Sequence, residues 1–254
     1  MTGAFRLVQR HALVYRRVWW GSLCMSFLQP VLYLLAIGVG LGAFIGSDAA
    51  LPGGVSFLQF LAPGLLAAAC MQTGTFESSW PVLGRFLWHR NYEAIAATPM
   101  RVVDLVAGEL AWLAIRLTTV AAAFAVVMVA FGVSRSPGVL LAIPAAVLTG
   151  LACSAVLLAY AATLTHSNAF NVVFRFVVTP LFLFSGVFFP LTRLPETVQY
   201  VAWATPLFHG VELTRGLTLG TLSPNWPLHT AYLVAMLGAG FGAALHTYER
   251  RLRP

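Results

Sequence analysis

The sequence predicts an all-α polytopic membrane protein with six transmembrane helices. Of its 254 residues, 59% are hydrophobic and only 9% are charged, whereas soluble globular domains carry roughly 45–50% apolar and about 25% charged residues. The apolar residues form six long runs, each near the ~20 residues that a helix needs to cross a bilayer. The 15 basic residues, all of them arginine, concentrate in segments on one side of these runs.

The six predicted spans follow one another without a large hydrophilic insertion. They are Trp20–Phe44, Phe57–Phe76, Leu105–Phe131, Val139–Leu164, Val172–Phe189 and Leu228–Leu245. The first run is too long for the hydrophobic region of a signal peptide, so we expect it to remain as a span. Because no hydrophilic stretch is long enough for a second domain, residues 1–254 are predicted to form one membrane domain.

The distribution of arginine predicts the topology. If both termini are cytoplasmic, most arginines lie on the inner side, and only Arg135, Arg193 and Arg215 lie outside. This asymmetry agrees with the positive-inside rule. The predicted cytoplasmic segments include residues 1–19 and 81–104, and residues 190–227 are predicted to be extracellular. The net charge of +7 then reports topology, and we expect no nucleic-acid partner.

The segment between the second and third spans is rich in charged residues, although the chain as a whole has few. Residues 82–97 alternate apolar and charged side chains at helical spacing, which predicts an amphipathic helix on the inner membrane surface. Its apolar side would carry Val82, Leu83, Phe86 and Leu87, and its polar side Arg85, His89 and Glu93. Pro99 predicts that the third span begins close by, with Asp104 in its opening turns.

Glu109, Trp112 and Arg116 are spaced i, i+3 and i+7, so they share one face of the third span. Ionisable side chains inside a membrane are costly and are often functional. Two interpretations stay open at this point. Glu109 and Arg116 either neutralise each other structurally or extend to the interface, or else they take a direct part in substrate passage or coupling. Phe174, in the aromatic fifth span, is a second candidate for a substrate path or for lipid packing.

The segment 190–227 is apolar but is interrupted by Pro190, Pro195 and Pro206. It therefore predicts short interfacial or re-entrant helices, because proline breaks helices. His209, Glu212 and Arg215 share a helical face there and form either a hydrogen-bonded structural set or a ligand site. Since no HExxH pattern or second ligand cluster accompanies them, we predict no metal.

Two glycine-rich stretches, residues 38–42 and 238–242, show the small-xxx-small spacing that lets helices approach closely. Such spacing serves packing within one chain at least as readily as contact between two protomers. The sequence leaves both uses open.

Three stretches, in register over most of the chain, carry a family resemblance. They are FLAPGLLAAACMQTGTFESSW, NYEAIAATPMRVVDLVAGELAW and TPLFLFSGVFFPLTRLPETVQYVAWATPLFHGVELTRG. Together they resemble the membrane permeases of ABC type-2 exporters, closest to the NodJ-like branch that exports lipo-oligosaccharide nodulation factors, with the daunorubicin-efflux permeases as cousins. The resemblance extends from about Pro30 to the C-terminus.

The resemblance implies a subunit of a transporter in the bacterial inner membrane. Such a permease pairs with a second permease protomer, identical or a close paralogue, and with two copies of a separate ATP-binding subunit. ATP and Mg²⁺ are then bound by that subunit, and this chain binds no cofactor. The sequence agrees, because it has no lysine and therefore no Walker A motif; we expect a transporter subunit and not an enzyme.

The family also implies roles for particular residues. In these permeases the loop between the second and third spans contains a coupling helix that docks onto the ATPase. Arg90, Tyr92, Glu93 and Ile95 occupy the corresponding positions, and Glu109 with Trp112 matches the family's GE.AW pattern. A plain solvated inner face would gather charge in a similar way.

Two other classes of membrane protein fit the sequence less well than the exporter. A lipid-modifying enzyme needs a catalytic cluster, yet no paired carboxylates or Ser/His/Asp order stand out. A secondary transporter usually shows inverted repeats, and the two halves of this sequence do not match. The favoured interpretation is the export of an amphipathic molecule such as a lipo-oligosaccharide, a glycolipid or a hydrophobic drug, in contact with membrane lipid.

Overall fold

The computed structural model describes residues 2–41, 54–88, 91–134, 136–193 and 195–252. Over these ranges the chain is helical and contains no strand, which confirms the all-α membrane class. The helices are α1 (Thr2–Tyr15), α2 (Trp19–Tyr33), α3 (Phe57–Glu77), α4 (Trp80–Leu87), α5 (Asn91–Ala96), α6 (Val102–Ala130), α7 (Gly138–Ala161), α8 (Asn168–Phe184), α9 (Glu196–Trp203), α10 (Pro206–Leu219) and α11 (Trp226–Leu252). A π-helical stretch, Leu34–Leu41, continues α2, and another, Phe174–Val178, interrupts α8.

Five helical segments in the described part of the chain are long and apolar enough to cross a membrane. They are Trp19–Gly38, Phe57–Leu87, Val102–Ala130, Gly138–Ala161 and Trp226–Leu252. The predicted fifth span corresponds to the shorter apolar helix α8, which ends at Phe184 and not at Phe189. It ends early because the chain turns at Gly186, whose φ is +79°. The number of six spans stays a prediction.

Helix α7 lies at the centre of the bundle and packs against α3, α6, α10 and α11. Glycines make these approaches close, as expected for helices packed in a membrane. A Cβ at Gly150 would lie 2.8 Å from the Cys70 carbonyl oxygen, and a Cβ at Gly240 would lie 2.8 Å from the Ala155 Cβ. In the second glycine-rich stretch, Gly240 therefore serves packing within the chain.

The single amphipathic surface helix predicted over residues 82–97 is wrong. The segment forms two helices, α4 and α5, and residues 89 and 90 between them lie outside the described residues. Helix α4 buries Val82, Leu83 and Phe86 as its apolar pattern predicts, but Arg85 is also directed into the protein. Arg85 is directed inward because a buried carboxylate lies there, as described below.

Helices α9 and α10 occupy the segment between α8 and α11, and α10 enters the bundle. Gly210 of α10 packs directly on Thr149, in the middle of α7. The Thr214 hydroxyl donates to the Pro63 carbonyl oxygen at 2.9 Å. These contacts place α10 inside the bundle, and the proline-interrupted segment forms short helices as its sequence predicts. That they re-enter the membrane stays a prediction.

The packing of α11 on α7 leads to a prediction about two neighbouring glycines. We expect Gly240→Ala to lower the free energy of unfolding by about 1–3 kcal/mol, because its Cβ meets Ala155 and the α7 backbone. Gly242→Ala is the matched control, since a Cβ there meets no described atom within 4 Å and alanine improves helix propensity by up to about 1 kcal/mol. Thermal unfolding in detergent measures both, and equal melting temperatures would contradict the close α7–α11 contact.

Candidate functional site

A buried carboxylate joins four helices at one end of the bundle. Glu109 of α6 accepts hydrogen bonds from the Arg85 guanidinium at 2.6 Å, the Tyr92 hydroxyl at 2.8 Å and His11 Nε2 at 3.2 Å. The Arg85 guanidinium also donates to the Tyr92 hydroxyl oxygen at 3.2 Å. We call these four residues the Glu109 network.

Burial explains why the partners converge. Glu109 is 2% exposed and Tyr92 is fully buried, and a buried charge is stable only when it is paired and hydrogen-bonded. The arginine neutralises the carboxylate, and the Tyr92 hydroxyl and the His11 ring donate to its remaining acceptor sites. Burial, and then the negative charge of Glu109, raise the pKa of Tyr92, so the hydroxyl keeps the proton that it donates.

Aromatic side chains surround the network and connect it to α11. The Phe86 ring lies 4.5 Å from the Tyr92 ring and 5.0 Å from the Tyr248 ring, both in edge contact. The Arg251 guanidinium lies 4.4 Å above Phe86. It also donates to the Ala162 carbonyl oxygen at 2.9 Å, near the end of α7. Arg251 therefore links the ends of α7 and α11 to α4.

The predicted face of the third span is present, and all three of its residues contact α1. The Trp112 ring stacks on His11 at 5.6 Å and meets Tyr15 edge-on at 5.7 Å. The Arg116 guanidinium donates to the Tyr15 hydroxyl oxygen at 2.8 Å. Glu109 contacts α1 through His11.

Neutralisation of Glu109 by Arg116, one of the two structural alternatives, is not what the structure shows. Arg116 instead donates to Glu77 of α3 at 2.9 and 3.0 Å. The sequence alone did not indicate Arg85 as the partner of Glu109, or Glu77 as the partner of Arg116. Each partner lies on a different helix from α6, so helical spacing could not reveal it. One signal was available, since Glu77 and Arg85 both lie at the end of an apolar run, where an unpaired charge is costly.

A pocket of about 550 Å³ opens beside the Arg116–Glu77 pair, between α2, α3, α6 and α8. Its lining mixes polar and apolar side chains. Besides the charged pair, the polar ones are Ser22, Ser26, Gln29, Gln72, Thr73 and Thr179. The apolar ones are Met25, Phe76, Val120, Phe174, Val178 and Phe182. Phe174, a path candidate from the sequence, therefore lines a real cavity.

The predicted coupling residues fall into three groups. Arg90 lies outside the described residues. Tyr92 is fully buried in the Glu109 network, so it does not contact a partner directly in this conformation. Glu93 is exposed on the outer side of α5, whereas Ile95 is half-buried and packs against the hydrophobic cluster that includes Phe86. Their role in docking stays a prediction.

His209, Glu212 and Arg215 do not converge on one point. His209 turns towards α11, where its Nδ1 lies 2.7 Å from the Nδ1 of His229 and its ring stacks on Tyr232 at 4.0 Å. Arg215 pairs with Glu212 at 3.5 Å and donates to the Gly186 carbonyl oxygen at 2.8 Å. In the described ranges, no group of three His, Cys, Asp or Glu side chains is placed to hold a metal ion.

The Glu109 network leads to a prediction about stability. Glu109→Gln leaves Arg85 largely buried without its counter-charge, so we expect the free energy of unfolding to fall by about 3 kcal/mol. Tyr92→Phe removes the two hydrogen bonds of the hydroxyl but keeps the ring and the Arg85–Glu109 ion pair, so its cost should be smaller, about 1–2 kcal/mol. Unfolding in detergent tests this order. A Glu109→Gln protein as stable as the wild type would contradict the pairing.

Comparison with known proteins agrees with the membrane bundle. The sequence matches the family described as ABC-2 type transporter over residues 2–219. Nodulation protein J of Rhizobium leguminosarum bv. trifolii is 34% identical over 244 residues, covering 96% of this chain and 92% of the relative. Nodulation protein J of Rhizobium meliloti (strain 1021) is 30% identical over 246 residues, covering 97% and 92%. The inner membrane transport permease YadH of Escherichia coli (strain K12) is 26% identical over 227 residues, covering 88% and 84%. The chain belongs to the ABC-2 type transporter family.

Proposed function

We propose that this permease subunit exports an amphipathic molecule, such as a lipo-oligosaccharide, a glycolipid or a hydrophobic drug, and that the pocket beside Arg116 and Glu77 receives it. The observation that carries the proposal is that polar and apolar side chains line the same pocket. A molecule with a polar head and an apolar chain can contact both kinds of side chain at once.

The polar part of the lining is suited to an uncharged or weakly charged head group. Glu77 and Arg116 neutralise each other, so they bring no net charge to the pocket. The side chains of Gln29 and Gln72 make no hydrogen bond to another described residue, although both line the cavity. Polar side chains within apolar helices are costly, and unpaired amides beside a cavity favour a hydrogen-bonding ligand.

The energy for export would come from a separate ATP-binding subunit, present in two copies and holding ATP and Mg²⁺. Two permease protomers, identical or closely related, would complete the transporter in the bacterial inner membrane, with both termini cytoplasmic. The outer side of α5, together with Arg90, would dock onto the ATP-binding subunit. Nucleotide shifts the permease between states only by its preference for one of them, so movement at α5 must reach the pocket.

Substrate binding tests the pocket. In proteoliposomes that contain the permease and its ATP-binding subunit, Gln72→Leu and Gln29→Leu should raise the amphiphile concentration for half-maximal export about tenfold, which equals about 1.4 kcal/mol. Thr118→Val is the control, because Thr118 is exposed on α6 and bonds only to the carbonyl oxygen of Ala114. Equal half-maximal concentrations in all three variants would rule out this pocket as the binding site.

Charge reversal at α5 tests the docking surface. We expect Glu93→Arg to abolish export and substrate-stimulated ATPase activity while the permease still assembles in the membrane, because a reversed charge disfavours the native contact. Glu196→Arg is the matched control, since Glu196 is exposed on α9, outside α5. If the Glu93→Arg permease exported at the wild-type rate, the proposal that α5 docks onto the ATP-binding subunit would be wrong.

A further inference from the structure

Helix α4 is short, and a break in the helical backbone separates it from α3. Ser79 has φ −103° and ψ −99°, outside the helical region, and α4 begins at the next residue. The neighbouring Ser78 hydroxyl is buried and has no hydrogen-bond partner among the described residues. Helices α3 and α4 are therefore two bodies joined at Ser78 and Ser79, although together they form one apolar segment.

The C-terminal half of α4 is fastened to the segment that we propose docks onto the ATP-binding subunit. Arg85 binds Glu109 at 2.6 Å and the Tyr92 hydroxyl of α5 at 3.2 Å. Phe86 packs edge-on against Tyr92 at 4.5 Å. A displacement of α5 therefore reaches α4 through a charged hydrogen bond and a ring contact.

The N-terminal end of α4 contacts residues that line the pocket. The Trp80 ring lies 4.8 Å from the Phe174 ring and 5.4 Å from the Phe170 ring of α8. It also lies 5.6 Å from Phe76. Phe174 and Phe76 both line the pocket, whereas Trp80 does not, so Trp80 stands behind the pocket wall.

The part of α8 that Trp80 touches is irregular. Phe174 begins the π-helical stretch Phe174–Val178, and such stretches interrupt the regular ladder and occur frequently at functional sites. The Thr179 hydroxyl donates to the Phe174 carbonyl oxygen at 2.9 Å. This side-chain hydrogen bond therefore accompanies the irregular backbone hydrogen bonding of α8, and it involves Phe174, the residue that Trp80 contacts.

We infer that α4 acts as a lever and that Trp80 is the positioning residue that transmits movement of α5 to the Phe174 wall of the pocket. The inference rests on the proposed ATP-driven export. Trp80 does not itself line the pocket, and it acts through Phe174.

The test is the number of substrate molecules exported per ATP hydrolysed, in proteoliposomes containing the permease and its ATP-binding subunit. We expect Trp80→Ala to keep ATPase activity and to lower this ratio about tenfold, within the usual range of coupling energies. Trp80→Phe retains an aromatic ring and should restore most of the ratio. Trp20→Ala removes an exposed tryptophan on α2 and should leave the ratio unchanged.

The outcomes separate the lever from the proposed function. Wild-type export with an unchanged ratio in Trp80→Ala overturns the lever alone. If the wild type shows no ATP-dependent export, the proposed function fails and the lever fails with it. Should Trp80→Ala not fold, Trp80→Leu fills much of the same volume without a ring, and a wild-type ratio in that variant overturns the role of the ring contact.

Discussion

The burial of the Glu109 carboxylate is the constraint on which this end of the molecule depends. A carboxylate inside an apolar bundle needs a counter-charge and hydrogen-bond donors. The donors come from three helices, α1, α4 and α5, of which α1 is far from the other two in the sequence. Satisfying one side chain therefore fixes where three helices meet α6, and it draws Arg85 away from the surface on which the helical pattern of α4 alone would place it.

The same rule explains the second ion pair, which Arg116 forms further along α6. Arg116 needs a partner within the bundle and finds Glu77 at the end of α3. Because Glu109 and Arg116 each have a separate partner, α6 carries two ion pairs on the face that also packs against α1. The second pair borders the pocket and leaves the neutral amides of Gln29 and Gln72 to face its interior.

Under the proposed function, these two features would have a common purpose. A membrane subunit driven by a separate ATP-binding subunit would have to connect events at that subunit with changes at a substrate site. The Glu109 network lies beside the proposed docking helix α5, and the polar-apolar pocket lies along the bundle. Helix α4 contacts the first through Arg85 and the residues lining the second through Trp80. The proposed mechanism is therefore local, since it needs one short helix and no long path through the bundle.

Much of the architecture could be predicted from local patterns. Apolar run lengths indicated the helices that could cross a membrane, prolines indicated the short helices α9 and α10, and the i, i+3, i+7 spacing placed Glu109, Trp112 and Arg116 on one face. These predictions succeed because helical periodicity and bilayer thickness act along the chain. The break that separates α4 from α5, and the early end of α8, were not predicted, because the patterns on either side of each are continuous.

The sequence by itself thus determined the class of the protein, its family and the helical faces that carry charge. Only the tertiary structure decided which charges pair, that Tyr92 is buried and not presented to a partner, and that Trp80 reaches Phe174. The physical reason is that periodicity defines the direction of a side chain on its own helix. The partner that it meets depends on how separate helices cross, and burial then selects the arrangement in which every buried charge is matched.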